Sequence, residues 1–128
     1  MSYARSAALA AVAFAVVAVP VLAQPGMGMI GRRLVADTAD RDTIPVTGSD
    51  HYGTLMICVD NAPLRFQEIV VRYKDGSART VRLRSLVAAG RCSREIELGG
   101  RRELATVDVA YDTASLGGQR ALLQLFGR

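Results

Sequence analysis

Apolar and polar residues alternate with a period of two along much of this chain, and this alternation restricts the fold more than any other feature. The clearest runs lie at residues 80–84, 94–98 and 106–111. Successive side chains of a β-strand point to opposite faces, so each run places its apolar side chains on one face of a half-buried strand. The pattern therefore predicts strands rather than amphipathic helices.

The turn signals between these runs predict an all-β fold. Asp75-Gly76 lies between two alternating runs, as expected for a tight hairpin, and Gly99-Gly100 and Gly117-Gly118 separate later strands. Residues 55–59 are apolar at every position, which predicts a central strand. About eight short strands with turns between them predict a small antiparallel β-sandwich, in which only residues 85–89 could form a helical turn. Further strands are predicted at residues 32–37, 43–46, 55–61, 66–74 and 121–126.

The last predicted strand, residues 121–126, is rich in leucine. An exposed strand of this kind would be an aggregation hazard, so we expect Leu123 and Leu125 to point into the core. Leu122 and Phe126 are expected to be partly covered. An alternative is that this strand forms an edge that accepts a strand from a partner.

Residues 1–23 have the features of a secretory signal peptide. Arg5 supplies the positive charge, residues 7–19 form an uncharged apolar stretch, and Pro20 ends it. Small residues before Gln24 predict cleavage between Ala23 and Gln24. The alternative is an uncleaved anchor, although the apolar stretch is short for about 30 Å of hydrocarbon.

Cleavage at this position predicts an exported, periplasmic protein without a membrane span. The residue directly after Ala23 is Gln24 and not cysteine, which argues against a lipid-modified N-terminus. Residues 24–31 are predicted to be a flexible lead-in and residues 32–128 the β-sandwich domain. Arg5 is the only charged residue removed, so the mature chain has a formal charge of +3.

Cys58 and Cys92 are the only two cysteines. An oxidising compartment favours a disulfide, and two cysteines in one chain allow a single internal pairing. Two free thiols, or a bridge between chains, remain as alternatives. A redox-active role is not expected, because the sequence has no Cys-x-x-Cys spacing.

The order of strand and turn signatures resembles a family of small exported bacterial β-rich proteins that is catalogued as a domain of unknown function. The resemblance implies a periplasmic β-sandwich and transfers no active site. The residues that carry it are Ile30-Gly31-Arg32, residues 41–46, 70–73 and 81–83, Ala89-Gly90, residues 96–98, Arg101-Arg102 before Tyr111, and residues 121–127.

Arginines at polar positions of neighbouring predicted strands are the main candidates for binding. Arg82 and Arg84 share one face of a strand, and Arg72 and Arg94 occupy polar positions nearby. Together they predict a cationic stripe that binds an envelope protein or an anionic envelope component. The alternative is an ordinary solvated face. Nucleic acid is not expected, because the charge is small and aromatic residues are few.

Three weaker patterns suggest metal or catalytic chemistry. Asp37, Asp40 and Asp42 could hold Ca²⁺, but their spacing departs from the EF-hand pattern and a solvated connection is the simpler interpretation. Met27-x-Met29 is a weak copper motif. His51 follows Ser49-Asp50, but triad members converge from separate elements. We therefore predict no metal and no cofactor.

The residues favour a non-enzymatic binding or interaction module. The first alternative is a structural or envelope-stress protein without a dedicated ligand. The second is a hydrolase centred on His51, which we do not expect because general-base catalysis needs an orienting partner and a cleft.

Overall fold

The computed structural model describes residues 26–35 and 40–128, and these residues form nine β-strands and one short 3₁₀ turn. The predicted signal peptide and Asp37 lie outside the described residues. In the described part, no helix has the length and hydropathy needed to cross a membrane. The strands are β1 Gly28–Val35, β2 Arg41–Pro45, β3 His51–Asp60, β4 Leu64–Tyr73, β5 Ala78–Val81, β6 Ser85–Val87, β7 Arg91–Cys92, β8 Ile96–Asp112 and β9 Ala121–Gly127, with the 3₁₀ turn at Thr113–Leu116.

The strands form two layers, and every pairing is antiparallel. The first layer contains β1, β9, β3, β7 and the beginning of β8. The second contains β2, the remainder of β8, β4, β5 and β6. Because β8 belongs to both layers, one hydrogen-bonded path runs through β1, β9, β3, β8, β4 and β5. The predicted antiparallel β-sandwich is confirmed, with nine strands in place of about eight.

Gly99-Gly100 lies inside β8, within its pairing with β3. The sequence predicts a turn here, and this prediction is wrong, because the strand continues from Ile96 to Asp112. Residues 98–101 bulge opposite Gly53, between the pairs Thr54–Glu97 and Tyr52–Arg102 of β3 and β8. The two glycines have φ angles of 77° and 145°, which side chains rarely allow. β8 pairs with β3 on both sides of this bulge and passes to the second layer beyond it, where Leu104 is the first residue paired with β4.

The core lies between the layers and uses the predicted alternation. Ile57 and Leu125 of the first layer pack in the same buried cluster as Ile69 and Val109 of the second. In β9, Leu123 and Leu125 are fully buried, as predicted. However, β9 lies between β1 and β3, so the alternative that it is an edge open to a partner strand is wrong.

The predicted central strand is confirmed in β3, which is buried on both faces. One face contributes Leu55 and Ile57 to the main core. The other contributes Met56 and Cys58 to a smaller cluster that Phe126, Cys92 and Met27 complete. This second cluster explains why the strand is apolar at every position.

Two local predictions differ from the structure. The lead-in was expected to include residues 28–31, but β1 begins at Gly28. A side chain at Gly31 would place its Cβ 2.7 Å from the Pro45 carbonyl oxygen, so this glycine allows β1 to approach β2 closely. Residues 85–89, which the sequence allows to form a helical turn, instead include the strand Ser85–Val87, which pairs with β4. In both places a tertiary pairing outweighs local preference.

The two cysteines form the predicted internal disulfide. Cys58 of β3 and Cys92 of β7 are direct partners in the antiparallel ladder, and their sulfur atoms are 2.00 Å apart. The bond joins two strands of the first layer and not the two layers. It fixes the two-residue strand β7, and with it the segment that precedes β8, to the centre of that layer.

Candidate functional site

The candidate site lies in the second layer, where a bulge in β4 adjoins the break between the edge strands β5 and β6. In β4 the register with β8 shifts between Phe66 and Glu68, so Gln67 is an extra residue in the ladder. On the other side of β4, β5 and β6 are separate strands, and residues 82–84 between them belong to neither. The Arg84 backbone amide still donates to the Gln67 carbonyl, at 3.3 Å. The bulge therefore coincides with the break in the neighbouring strands.

Leu83 turns inward at this break and is only 3% exposed. Its neighbours Arg82 and Arg84 consequently point outward, and both are exposed. They line an open cleft of about 500 Å³. The other lining residues are Arg65, Phe66, Gln67 and Glu68.

A second cleft, of about 330 Å³, lies on the other side of the same two arginines. It is bounded by Leu86 and its neighbours in β6 and by residues 92–94 after the disulfide. A guanidinium nitrogen of Arg94 lies 3.5 Å from the Arg82 carbonyl oxygen, to which it donates. Arg82 and Arg84 therefore border both clefts, and Arg94 joins them from the first layer.

The structure brings together three of the four arginines that the sequence singles out. Arg72 is elsewhere: its Nε donates to Asp108 Oδ2 at 2.7 Å, and it lines neither cleft. Arg65 takes its place, because β4 pairs with β6 through residues 64–66. We call Arg65, Arg82, Arg84 and Arg94 the arginine cluster.

Sequence reasoning misses Arg65 because its proximity to Arg84 depends on strand pairing. A simpler signal in the sequence marks the surrounding region. Residues 76–94 contain five arginines and no aspartate or glutamate. This segment includes three members of the arginine cluster.

The arginine cluster forms no ion pair with a carboxylate of the described residues. Within residues 26–35 and 40–128, no carboxylate oxygen lies within 4.0 Å of its guanidinium nitrogens. Glu68 lines the first cleft but forms no ion pair at that distance. Planar guanidinium groups bind carboxylate and phosphate oxygens in a bidentate manner. An anion entering either cleft would therefore meet exposed donors without breaking an ion pair.

Arg33 of β1 and Arg72 of β4 are, in contrast, paired with carboxylates. Arg33 Nε lies 2.9 Å from Asp42 Oδ1, and the Tyr111 hydroxyl donates to the other Asp42 oxygen at 3.0 Å. Asp108 accepts from Arg72 and, at 2.9 Å, from Thr43. Burial of Tyr111 raises the pKa of its phenol, and the hydrogen bond to Asp42 raises it further. We call these residues the paired face.

The paired face includes Asp42, one of the aspartates considered as calcium ligands. Asp42 is engaged by Arg33 and Tyr111, and the Asp40 carbonyl accepts from the Tyr111 amide at 3.0 Å. The described residues contain no group of three or more His, Cys, Asp or Glu side chains arranged to hold a metal ion. Of the two methionines considered as copper ligands, Met27 packs against the cluster around Cys58, and Met29 is 48% exposed in β1.

His51 borders a separate cleft of about 280 Å³. Its Nε2 lies 4.0 Å from a Glu103 oxygen, and Lys74 Nζ lies 3.7 Å from the other. In the part of the chain that the structure describes, no hydrogen bond joins the His51 imidazole to a serine, threonine or cysteine. The geometry is that of an exposed ion-pair network.

Arg102 also lines this cleft, where it contacts Tyr73, Asp75 and Ser77. Its guanidinium lies 3.8 Å from the centre of the Tyr73 ring and donates to Asp75 and Ser77. Hydrogen bonds from Ser77, and then from Arg102, lower the pKa of Asp75 to about 2. The predicted Asp75-Gly76 hairpin is confirmed, since β4 and β5 pair on either side of it.

The comparisons with known proteins identify the family. A family model described as a domain of unknown function, DUF2541, matches residues 9–127. The chain therefore belongs to this family, which confirms the resemblance seen in the sequence. No curated protein matches the chain.

Among solved structures, the chain is similar to Pseudomonas aeruginosa AlgX. The TM-score is 0.52 at 9% sequence identity, over 79% of this chain. The match covers 26% of the AlgX chain, so the present chain spans about a quarter of that protein. This likeness shows a shared fold.

Proposed function

We propose that this protein is a non-enzymatic binding module that acts in the periplasm and binds an anionic ligand or partner through the arginine cluster. The observation that carries the proposal is the gathering of four exposed arginines, without a carboxylate within 4.0 Å among the described residues, around two adjoining clefts. Like charges held together repel one another, and an anion bound between them relieves that repulsion.

The fixed backbone beside the clefts supports binding at a defined site over general attraction of anions by net charge. Arg82 and Arg84 are held on either side of Leu83, whose burial fixes the backbone between them. Arg94 follows Ser93, whose amide donates to the Ile57 carbonyl at 2.7 Å and whose hydroxyl accepts from the Ile57 amide at 3.0 Å. Donors whose backbone is fixed lose less conformational entropy on binding.

Two features support the periplasmic location. The predicted signal peptide directs export, and the Cys58–Cys92 bond is the state that an oxidising compartment favours. Mass spectrometry of the protein recovered from the periplasm tests both. We expect a chain beginning at Gln24 with no free thiol, and an intact Met1 or two free thiols would contradict the proposed location.

A matched pair of double variants tests the binding function. Arg82→Gln with Arg84→Gln removes two arginines of the cluster, whereas Arg33→Gln with Arg72→Gln removes two arginines of the paired face. The two variants lose the same formal charge. Calorimetric titration with pyrophosphate should show at least a tenfold loss of affinity in the first and less than a twofold loss in the second.

Equal losses in both variants would mean that net charge alone attracts the anion, and this would overturn the proposed site. If the wild-type protein binds no anion, the binding function fails and the structural or envelope-stress alternative is favoured. Circular dichroism of both variants verifies that each remains folded.

A further inference from the structure

Two members of the arginine cluster, Arg82 and Arg84, lie along a strand edge that has no partner. In the described part of the chain, β5 and β6 each pair with β4 alone, so the opposite edge of residues 78–87 is unpaired. Such an edge is a ready template for another extended chain. The second cleft, with Leu86 and Arg94 on its borders, opens beside this edge.

From Arg82 to Val87, exposed side chains alternate with buried or half-buried ones. Arg82, Arg84 and Leu86 are exposed, whereas Leu83 and Val87 are buried and Ser85 is half-buried. At about 3.3 Å per residue, alternate positions of an extended chain are about 6.6 Å apart. Alternate side chains of a second extended peptide have the same spacing, so they can match these three positions one by one.

The charge of the edge selects its partner. Two copies of this edge would place arginines opposite arginines, which is unfavourable for cross-strand pairs. A strand with carboxylates at alternate positions would place opposite charges together. Since residues 76–94 contain five arginines and no acidic residue, the complementarity extends beyond the two central positions.

From these observations we infer that residues 78–87 bind an extended acidic segment of a partner protein by strand addition. Two glutamates or aspartates at alternate positions face Arg82 and Arg84, and an apolar side chain two positions further packs on Leu86, which is 51% exposed. The inference rests on the proposed function, because it names the anionic partner of the same cluster.

Arg94 has a defined part in this arrangement. Its long hydrogen bond to the Arg82 carbonyl, at 3.5 Å, lies next to the edge that the peptide would occupy. An incoming carboxylate replaces this weak contact with a charge-assisted pair, which is stronger. Strand addition is therefore expected to move Arg94 from the backbone to the peptide.

The test uses a capped seven-residue peptide with two glutamates at alternate positions and a leucine two positions further. Two N-methylated versions, one at the odd-numbered amides and one at the even-numbered amides, separate strand addition from charge attraction. An added strand donates from amides on one side only. We expect the unmethylated peptide to bind. One methylated version should bind at least tenfold more weakly than the unmethylated peptide, and the other should bind with an affinity within threefold of the unmethylated peptide.

Equal effects of the two methylated versions, whether both bind or neither does, would overturn strand addition. Amide hydrogen exchange provides a second readout, and exchange in residues 78–87 should slow when the peptide is bound. The Arg82→Gln, Arg84→Gln variant should lose peptide binding, and the Arg33→Gln, Arg72→Gln variant should retain it.

Pyrophosphate distinguishes the failure of this inference from that of the proposed function. If pyrophosphate binds at the cluster and the peptide does not, the inference is wrong and the anion-binding function stands. If neither binds, both are wrong. Tighter binding of vesicles rich in phosphatidylglycerol than of the peptide would assign the cluster to a membrane surface and overturn the inference.

Discussion

Arg72 and Arg82 are arginines of the same sheet layer, but they have opposite electrostatic surroundings. Arg72 lies on a central strand, and β8 beside it supplies Asp108 at 2.7 Å. Arg82 follows an edge strand that has a neighbour on one side only, and no carboxylate of the described residues lies within 4.0 Å of its guanidinium. The strand beside Arg72 supplies its counter-charge within the fold, whereas the surroundings of Arg82 leave it available to another molecule.

The two regions also differ in what they contribute to stability. Exposed ion pairs such as Arg72–Asp108 contribute about 0.2–1 kcal/mol each. The bond from the buried Tyr111 hydroxyl to Asp42 contributes more, because the hydroxyl is shielded from water. The arginine cluster has no such bond, so its neutral replacement should affect binding and leave folding almost unchanged.

The largest expected effect on stability comes from the Cys58–Cys92 disulfide, which anchors the end of the basic segment 76–94. Replacing Cys58 and Cys92 with alanine opens a loop with a sequence separation of 34 and is expected to cost about 4 kcal/mol of unfolding free energy. Urea unfolding of the variant and the oxidised wild type measures the difference. A change below about 1 kcal/mol would show that the hydrogen bonds of Ser93 hold the segment without the disulfide.

The next effect tests the paired face. Tyr111→Phe removes the hydroxyl that donates to Asp42 and should lower the unfolding free energy by about 2 kcal/mol, as expected for a buried hydrogen bond to a charged group. Pyrophosphate affinity should stay within twofold of wild type. If the affinity falls as much as in the Arg82→Gln, Arg84→Gln variant, the two regions are not independent.

Tyr111 also predicts an alkaline limit on stability. Its folded pKa lies above the unfolded value of 10.0, so its stabilising effect is complete below pH 10 and is lost as the pH rises further. The phenylalanine variant lacks this dependence. Unfolding curves at pH 9 and pH 11 should therefore differ less in the variant than in wild type.

The smallest effect concerns the ion pairs around the hairpin. Hydrogen bonds from Ser77 and Arg102 lower the folded pKa of Asp75 to about 2, from its ordinary value of 3.8. The ionised form therefore favours the fold above pH 3.8, and this contribution is lost as the pH falls towards 2. Asp75→Asn should flatten the decline of stability between pH 5 and pH 2.5. Parallel declines in variant and wild type would contradict the assignment.

Much of the fold follows from local sequence patterns. Period-two alternation predicts the strands and their buried faces, and the apolar run of residues 55–59 predicts the central position of β3. The Asp75-Gly76 pair predicts the hairpin. These predictions hold because each depends on neighbours in the chain and on which side chains avoid water.

Other features depend on strand pairing that the local pattern does not specify. Glycines at 99 and 100 permit both a turn and a bulge, and the pairing of β8 with β3 on both sides of them selects the bulge. Residues 85–87 become a strand because β4 offers a free edge beside them. In both cases the deciding hydrogen bonds come from residues distant in sequence.

The candidate site shows the same division. The sequence by itself determines that residues 76–94 are strongly basic and that Arg82 and Arg84 share a face. Only the tertiary structure removes Arg72 from the cluster, adds Arg65 and brings Arg94 to the Arg82 carbonyl. The physical reason is that the charge of a residue is fixed by its own side chain, whereas its counter-charge is fixed by strand register across the whole domain.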